Sequence, residues 1–191
     1  MSPEVSPAPP RKPRADAERN RVRLLEAARA AFASGGTTAS LEDIARSADV
    51  GIGTLYRHFP TRDALVGEVY RNEAEKLAAA ARELADSHPP LDALRAWLLL
   101  FVDYLSTKLI LAEALRAMMC DTSELTKKSV EQLTAAMHLL MDRARASGEI
   151  AGDERDPLDL LRALGGIASA GPGWEAGARA MVDLLINGLR R

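Results

Sequence analysis

Residues 51–60 read GIGTLYRHFP, placing a threonine, a tyrosine, an arginine and a histidine at positions 54, 56, 57 and 58. Hydroxyl, phenol, guanidinium and imidazole groups all donate hydrogen bonds, and the guanidinium carries a fixed positive charge. If this stretch is a short helix that commits Leu55 and Phe59 to a core, its other face presents Ile52, Gly53, Thr54, Arg57 and His58. Tyr56 then lies at the edge. The N-terminal end of that face has almost no bulk, so backbone amides and the helix N-terminus can approach an anion closely. The chemistry on offer is recognition of a polyanion by hydrogen bonds and charge.

Bond-making chemistry finds no comparable set. Of the three histidines, His58 lies in this stretch, His88 in a proline-rich linker and His138 on a helix beside Leu139. No cysteine or second histidine stands at metal-ligand spacing from His58. Cys120, beside Asp121, has no histidine close in sequence and reads as a structural thiol. Phosphate-binding loops, nucleophile elbows and metal clusters are absent from the sequence. The expectation is a protein that is no enzyme and uses neither metal nor cofactor.

The elements that must position the short helix are legible around it. Ser40 is a predicted N-cap, with Asp43 three residues on, for a helix over about 41–48. Ile44, Ala45 and Ala48 form its inner face, and Val50 plugs the following turn. Ala45 suits two helices that cross steeply over that turn, because a larger side chain would not fit. Asp49 occupies the position that must tolerate a left-handed backbone. Residues 41–60 thus have the layout of a helix-turn-helix, whose second helix enters the major groove of DNA.

The longer stretch SLEDIARSADVGIGTLYRHFPTRDAL resembles the DNA-binding domain of TetR-family transcriptional regulators. That family shows an Ile-Ala pair, a Gly-Val turn, a Thr-(Leu/Ile/Phe)-Tyr-x-(His/Tyr)-Phe helix and a Lys/Arg-Asp/Glu-x-Leu start to the next helix. The resemblance covers about residues 22–70. It implies that Ser40 caps its helix against a phosphate and that Thr54 contacts a base edge or a phosphate. It also implies that Tyr56 and His58 bind phosphates, and that Arg62 stands where the family usually has a phosphate-binding lysine. Two of the DNA-facing residues keep plainer alternatives: Tyr56 packing on the first helix, and Arg57 as a solvated charge. Asp49 departs from the family's turn glycine and adds a negative charge near the DNA.

Composition agrees with a basic head on an acidic body. Residues 1–62 hold ten Lys and Arg against seven Asp and Glu, a surplus of three, while residues 63–191 hold fifteen against twenty, a deficit of five. The longest apolar run, AWLLLFV at 96–102, is far too short to span a bilayer. With no export segment and one cysteine, a cytoplasmic protein is expected.

Residues 1–17 read as an arm, rich in proline and ending in a basic cluster, that is either a solvated tail or a contact to an adjacent minor groove. The head is expected over 18–62 and a ligand-binding and dimerisation body over 63–191. Ala, Leu, Arg and Glu dominate and strand-like alternation is missing, so the fold class is all-α with about nine helices. These include one over about 91–105, a shorter one over 108–119, and two last helices over 157–169 and 174–189.

The resemblance implies a cavity in the body, with Trp97, Phe101, Tyr104, Met118, Met119, Met137 and Met141 as candidate lining, though methionines and aromatics at this spacing also serve as ordinary core. It also implies that the last two helices pair with their copies in a homodimer. Candidate interface residues are Leu161, Leu164, Ile167, Ala168, Trp174, Ala178, Met181 and Leu185, with Gly165 and Gly166 permitting close approach. The function implied is a repressor released from a palindromic double-stranded operator by a small, largely apolar effector. An activator, or a regulator that ignores ligands, is the alternative.

Overall fold

The computed structural model describes residues 13–117, 122–150 and 156–190. Among them are eight α-helices and one 3-10 turn: α1 Pro13–Gly35, the turn Gly36–Thr38, α2 Leu41–Ser47, α3 Ile52–His58, α4 Arg62–Ser87, α5 Pro90–Ala117, α6 Thr122–Ala146, α7 Pro157–Ile167 and α8 Trp174–Leu189. The all-α class and the count of nine helical elements are as expected, but their division differs. The helices expected over 91–105 and 108–119 are one, because no glycine or proline interrupts residues 105–108. The ninth element is the 3-10 turn. Residues 13–17, expected in the arm, continue α1, and the rest of the arm lies outside the described residues.

Side-chain caps set several helix starts. The Ser40 hydroxyl accepts from Asp43 N–H at 3.2 Å, as the sequence predicts, and Thr61 accepts from Ala64 N–H at 3.0 Å to begin α4. Asp156 accepts from Leu158 N–H at 2.8 Å, with Pro157 at the first position of α7. Two left-handed glycines, Gly171 and Gly173, turn the chain between α7 and α8.

One continuous core runs through head and body. Leu25, Phe32, Ile44, Leu55 and Phe59 close the head around α1, and Leu65, Val66 and Val69 carry the same core onto α4. In the body, Trp97 is fully buried and its indole N–H donates to the Leu77 carbonyl at 2.8 Å, tying α5 to α4. Trp97 stacks on Phe101, and Phe101 on Tyr104, with ring centroids 6.0 and 5.9 Å apart. Met137 and Met141 are fully buried on α6. Ala178, Val182 and Ile186 turn one face of α8 onto α5, where Arg95 pairs with Asp183 and Arg179 with Asp103.

Two charged joints connect head and body. Glu68 of α4 bonds Arg21 of α1 and Arg71 of its own helix. Glu73 faces Arg29 of α1 at 3.8 Å and Lys76 at 3.7 Å. Both carboxylates are largely sheltered, with side chains 17% and 16% exposed, so solvent screens these contacts less than surface pairs.

Candidate nucleic-acid interface

Helix α2 ends in a backbone motif that fixes the angle at which α3 leaves it. Asp49 N–H donates to the Arg46 carbonyl and Val50 N–H to the Ala45 carbonyl, both at 3.0 Å. This is the Schellman arrangement, and its left-handed residue is Asp49, at φ 50°. Asp49 is the one non-glycine residue with positive φ among the described residues. Arg23 of α1 stabilises it: its Nε–H donates to the Ala48 carbonyl at 2.7 Å and its Nη2–H to the Asp49 carboxylate at 3.0 Å. The charge that departs from the family pattern therefore has a counter-ion within the head.

Helix α3 then buries Leu55 completely and leaves its other side open. Ile52, Gly53, Tyr56 and Arg57 are exposed, and Thr54 and His58 are half-buried, with the His58 ring 6.0 Å from that of Phe59. Tyr56 is 45% exposed. Neither Tyr56 nor Arg57 has a hydrogen bond or ion pair among the described residues, and a Cβ on Gly53 would meet nothing within 4 Å. The fold thus has no use for the missing side chain at position 53.

Two predicted contacts are engaged internally. Ser40 accepts from Asp43 N–H and also donates to the Glu42 carboxylate at 3.0 Å. Arg62 donates from Nη1 to the carbonyls of Thr37 and Ala39, at 2.8 and 2.6 Å, and so holds the connection that enters α2. Arg46, which sequence reasoning missed, stands on the exposed side of α2 paired to Asp43 at 2.6 Å.

A second feature lies in the body. A cavity of about 140 Å³ opens between α4, α5, α6 and α7. Phe101, Leu105, Leu133 and Leu161 give it apolar walls, Tyr70, Tyr104 and Thr134 bring hydroxyls, and Lys108 and Arg162 bring positive charge. Burial pushes the Tyr104 hydroxyl far above the usual phenol range, and the adjacent Tyr70 adds to the shift. Tyr104 is therefore a neutral phenol at any physiological pH. Of the expected lining, Phe101 and Tyr104 are in place. Trp97, Met137 and Met141 are core residues that do not line the cavity, and Met118 and Met119 lie outside the described residues.

The expected dimer residues divide similarly. Leu161, Leu164, Ala168, Trp174 and Ala178 are buried within the protomer, and Leu161 faces the cavity. Met181 is exposed and Ile167 and Leu185 are half-buried; Leu184, not anticipated, is 63% exposed beside them. A Cβ on Gly165 or Gly166 would meet nothing within 4 Å, so neither permits a close helix approach inside the protomer. Among the described residues, no group of His, Cys, Asp and Glu could hold a metal ion, and no helix is long and apolar enough to cross a membrane.

Comparison with known proteins decides the family. The family profile for bacterial regulatory proteins of the tetR family matches residues 24–69, and that for the C-terminal domain of SbtR-like transcriptional regulators matches residues 89–191. The crystal structure of a TetR transcriptional regulator from Streptomyces coelicolor is 44% identical, with a TM-score of 0.80 over 89% of this chain and 98% of that one. The chain belongs to the TetR family.

Two further relatives, both HTH-type regulators, match part of the chain. The HTH-type transcriptional regulator UidR of Escherichia coli K12 is 31% identical over 96 residues, 50% of this chain and 43% of that protein. The HTH-type transcriptional repressor KstR2 of Mycobacterium tuberculosis H37Rv is 39% identical over 77 residues, 39% of this chain and 38% of that protein. The chain thus spans less than half the length of either. TetR proteins are helix-turn-helix DNA-binding transcriptional regulators, not enzymes, and α2 and α3 supply that unit here.

Proposed function

We propose that this TetR-family chain is a repressor that holds a palindromic operator as a homodimer and lets it go when a small molecule occupies the body cavity. The observation that carries the reading is the position of Tyr70. It lines the cavity from α4, two residues after Glu68 and three before Glu73, the carboxylates that tie α4 to α1 of the head. An occupant that displaces Tyr70 shifts the helix on which the head is hung.

On the operator, the open face of α3 enters the major groove, with Thr54 and Tyr56 at base edges and phosphates and Arg57 and His58 on the backbone. The exposed Met181 and Leu184 of α8, flanked by the half-buried Ile167 and Leu185, meet their copies across a two-fold axis. That axis sets the two α3 helices about one DNA turn apart. Release requires only that the effector prefer the shifted geometry. A coupling of about 1–3 kcal/mol lowers operator affinity about 5–150-fold.

Footprinting on the DNA upstream of its own coding region tests the reading. The expected result is a two-fold symmetric protected site whose half-sites are about one helical turn apart. Protection without symmetry, or none above that on random DNA, contradicts it.

A further inference from the structure

The chemistry of the cavity lining narrows what the effector can be. Its lining carries two cations, Lys108 and Arg162, and no carboxylate. Arg162 stands at the cavity mouth, with its side chain 68% exposed and paired to Asp159 at 3.2 Å, whereas the half-buried Lys108 has neither a hydrogen bond nor an ion pair among the described residues. Further in, the Thr134 hydroxyl is buried with no hydrogen-bond partner, the one such side-chain atom among the described residues. Buried hydroxyls are normally paired, and an unpaired one destabilises the fold. Low-dielectric walls around unneutralised charge also concentrate its field on the space they enclose. Positive charge, an idle hydroxyl and apolar walls thus converge on one small space.

We propose that the effector is a small organic acid, a compact aromatic or alicyclic carboxylate, whose carboxylate is held by Lys108 and Arg162 and whose body lies on Phe101 and Leu161. The proposal rests on the reading of this cavity as the effector site and names the chemical class. A volume of about 140 Å³ has room for roughly ten non-hydrogen atoms at interior packing density, the size of one ring with a short acid arm. The Thr134 hydroxyl receives a second polar atom of the ligand or one carboxylate oxygen. The apolar body expected from the sequence is retained, and the charge is added.

The test uses benzoate and cyclohexanecarboxylate against their primary amides, which match them in shape and lack the charge. Binding to the purified full chain is read by calorimetry and thermal shift, for wild type, Lys108→Met and Thr134→Val. Lys108→Met keeps most of the aliphatic stem, and circular dichroism checks that each variant folds. Acids are expected to bind about tenfold or more tightly than amides, as a hydrogen-bonded charge contributes that much. Lys108→Met is expected to cut that preference severalfold, with Arg162 keeping part of it, and Thr134→Val to weaken acid binding.

Equal binding of acids and amides overturns the proposal. So does unchanged acid binding by Lys108→Met, or no acid binding at millimolar concentration. Gel shifts run in parallel separate it from the repressor reading. Acids that bind but leave the DNA complex intact support the acid site and contradict release. Release by the neutral amides alone supports release and sinks the acid site.

Discussion

Arg23 of α1 bonds both the carboxylate and the carbonyl of Asp49, the residue that turns the chain between the two helices of the DNA-binding unit. The ion pair itself contributes little, since the side chains are 42% and 99% exposed. The bonds to the carbonyls at the end of α2 matter more, because they satisfy acceptors that a helix terminus leaves open. Arg23→Met is expected to lower unfolding free energy by about 1–2 kcal/mol and the midpoint by about 2–4 °C per kcal/mol. Asp49→Gly is expected to change stability by less than about 0.5 kcal/mol, as relief of the left-handed backbone offsets the lost pair. It is also expected to tighten DNA binding by removing a negative charge. Thermal unfolding and a DNA titration of both variants decide, and a destabilised Asp49→Gly contradicts the clamp.

The open face of α3 makes a separable prediction. Tyr56 is exposed and without a partner among the described residues, so Tyr56→Ala is expected to leave the unfolding midpoint within a degree or two of wild type while abolishing the footprint. Thr54→Ala is expected to do the same, with the dimer intact in both. Arg57→Ala is expected to reduce the slope of log affinity against log salt by about one. A normal footprint from either alanine variant would remove α3 from the recognition role.

In the proposed release Glu68 and Glu73 serve as hinge pins, since each meets one cation from α1 and one from α4. The Glu68→Gln, Glu73→Gln double variant preserves shape and weakens both joints. It is expected to bind effector as wild type does but to release DNA less, with the coupling falling from about 1–3 kcal/mol toward zero. Calorimetry for the ligand and anisotropy for the DNA report the two halves independently. Undiminished release would place the coupling elsewhere in the fold.

The helix-turn-helix was legible because its residues are constrained locally. Ile44, Ala45, Val50, Leu55 and Phe59 have to meet across one short turn, and spacing alone assigns each its side. The cavity was only partly legible. Phe101 and Tyr104 share a helix face and announce themselves, whereas Tyr70, Lys108, Thr134 and Arg162 stand on four helices and converge only once these pack. The methionines misled because Met137 and Met141 fit a core and a ligand site equally well by hydropathy. On α8 the exposed face mixes Met181 and Leu184 with Glu175, Arg179 and Asp183, so apolar content alone could not separate residues that turn inward from those that turn out.

Tyr104 makes a pH prediction whose sign follows from its raised titration. The folded protein keeps this proton more tightly than the unfolded chain, where the phenol titrates near its ordinary value of 10.0. Its contribution to stability is therefore complete below pH 10.0 and is lost as pH climbs above it. Denaturant midpoints from pH 8 to about 11.5 are expected to fall above about pH 10 in wild type and to fall less in Tyr104→Phe. Superimposable alkaline limbs would contradict the buried neutral phenol.

The most direct measurement is fluorescence anisotropy of labelled DNA from upstream of the coding region, at fixed salt, first titrated with protein and then with benzoate or cyclohexanecarboxylate. Saturable binding in preference to random DNA, lost in Tyr56→Ala and reversed by the acid at severalfold lower concentration in wild type than in Lys108→Met, is the expected result. Binding no tighter than to random DNA, or a complex that the acid leaves untouched while calorimetry shows the cavity filled, would contradict a repressor released through this cavity.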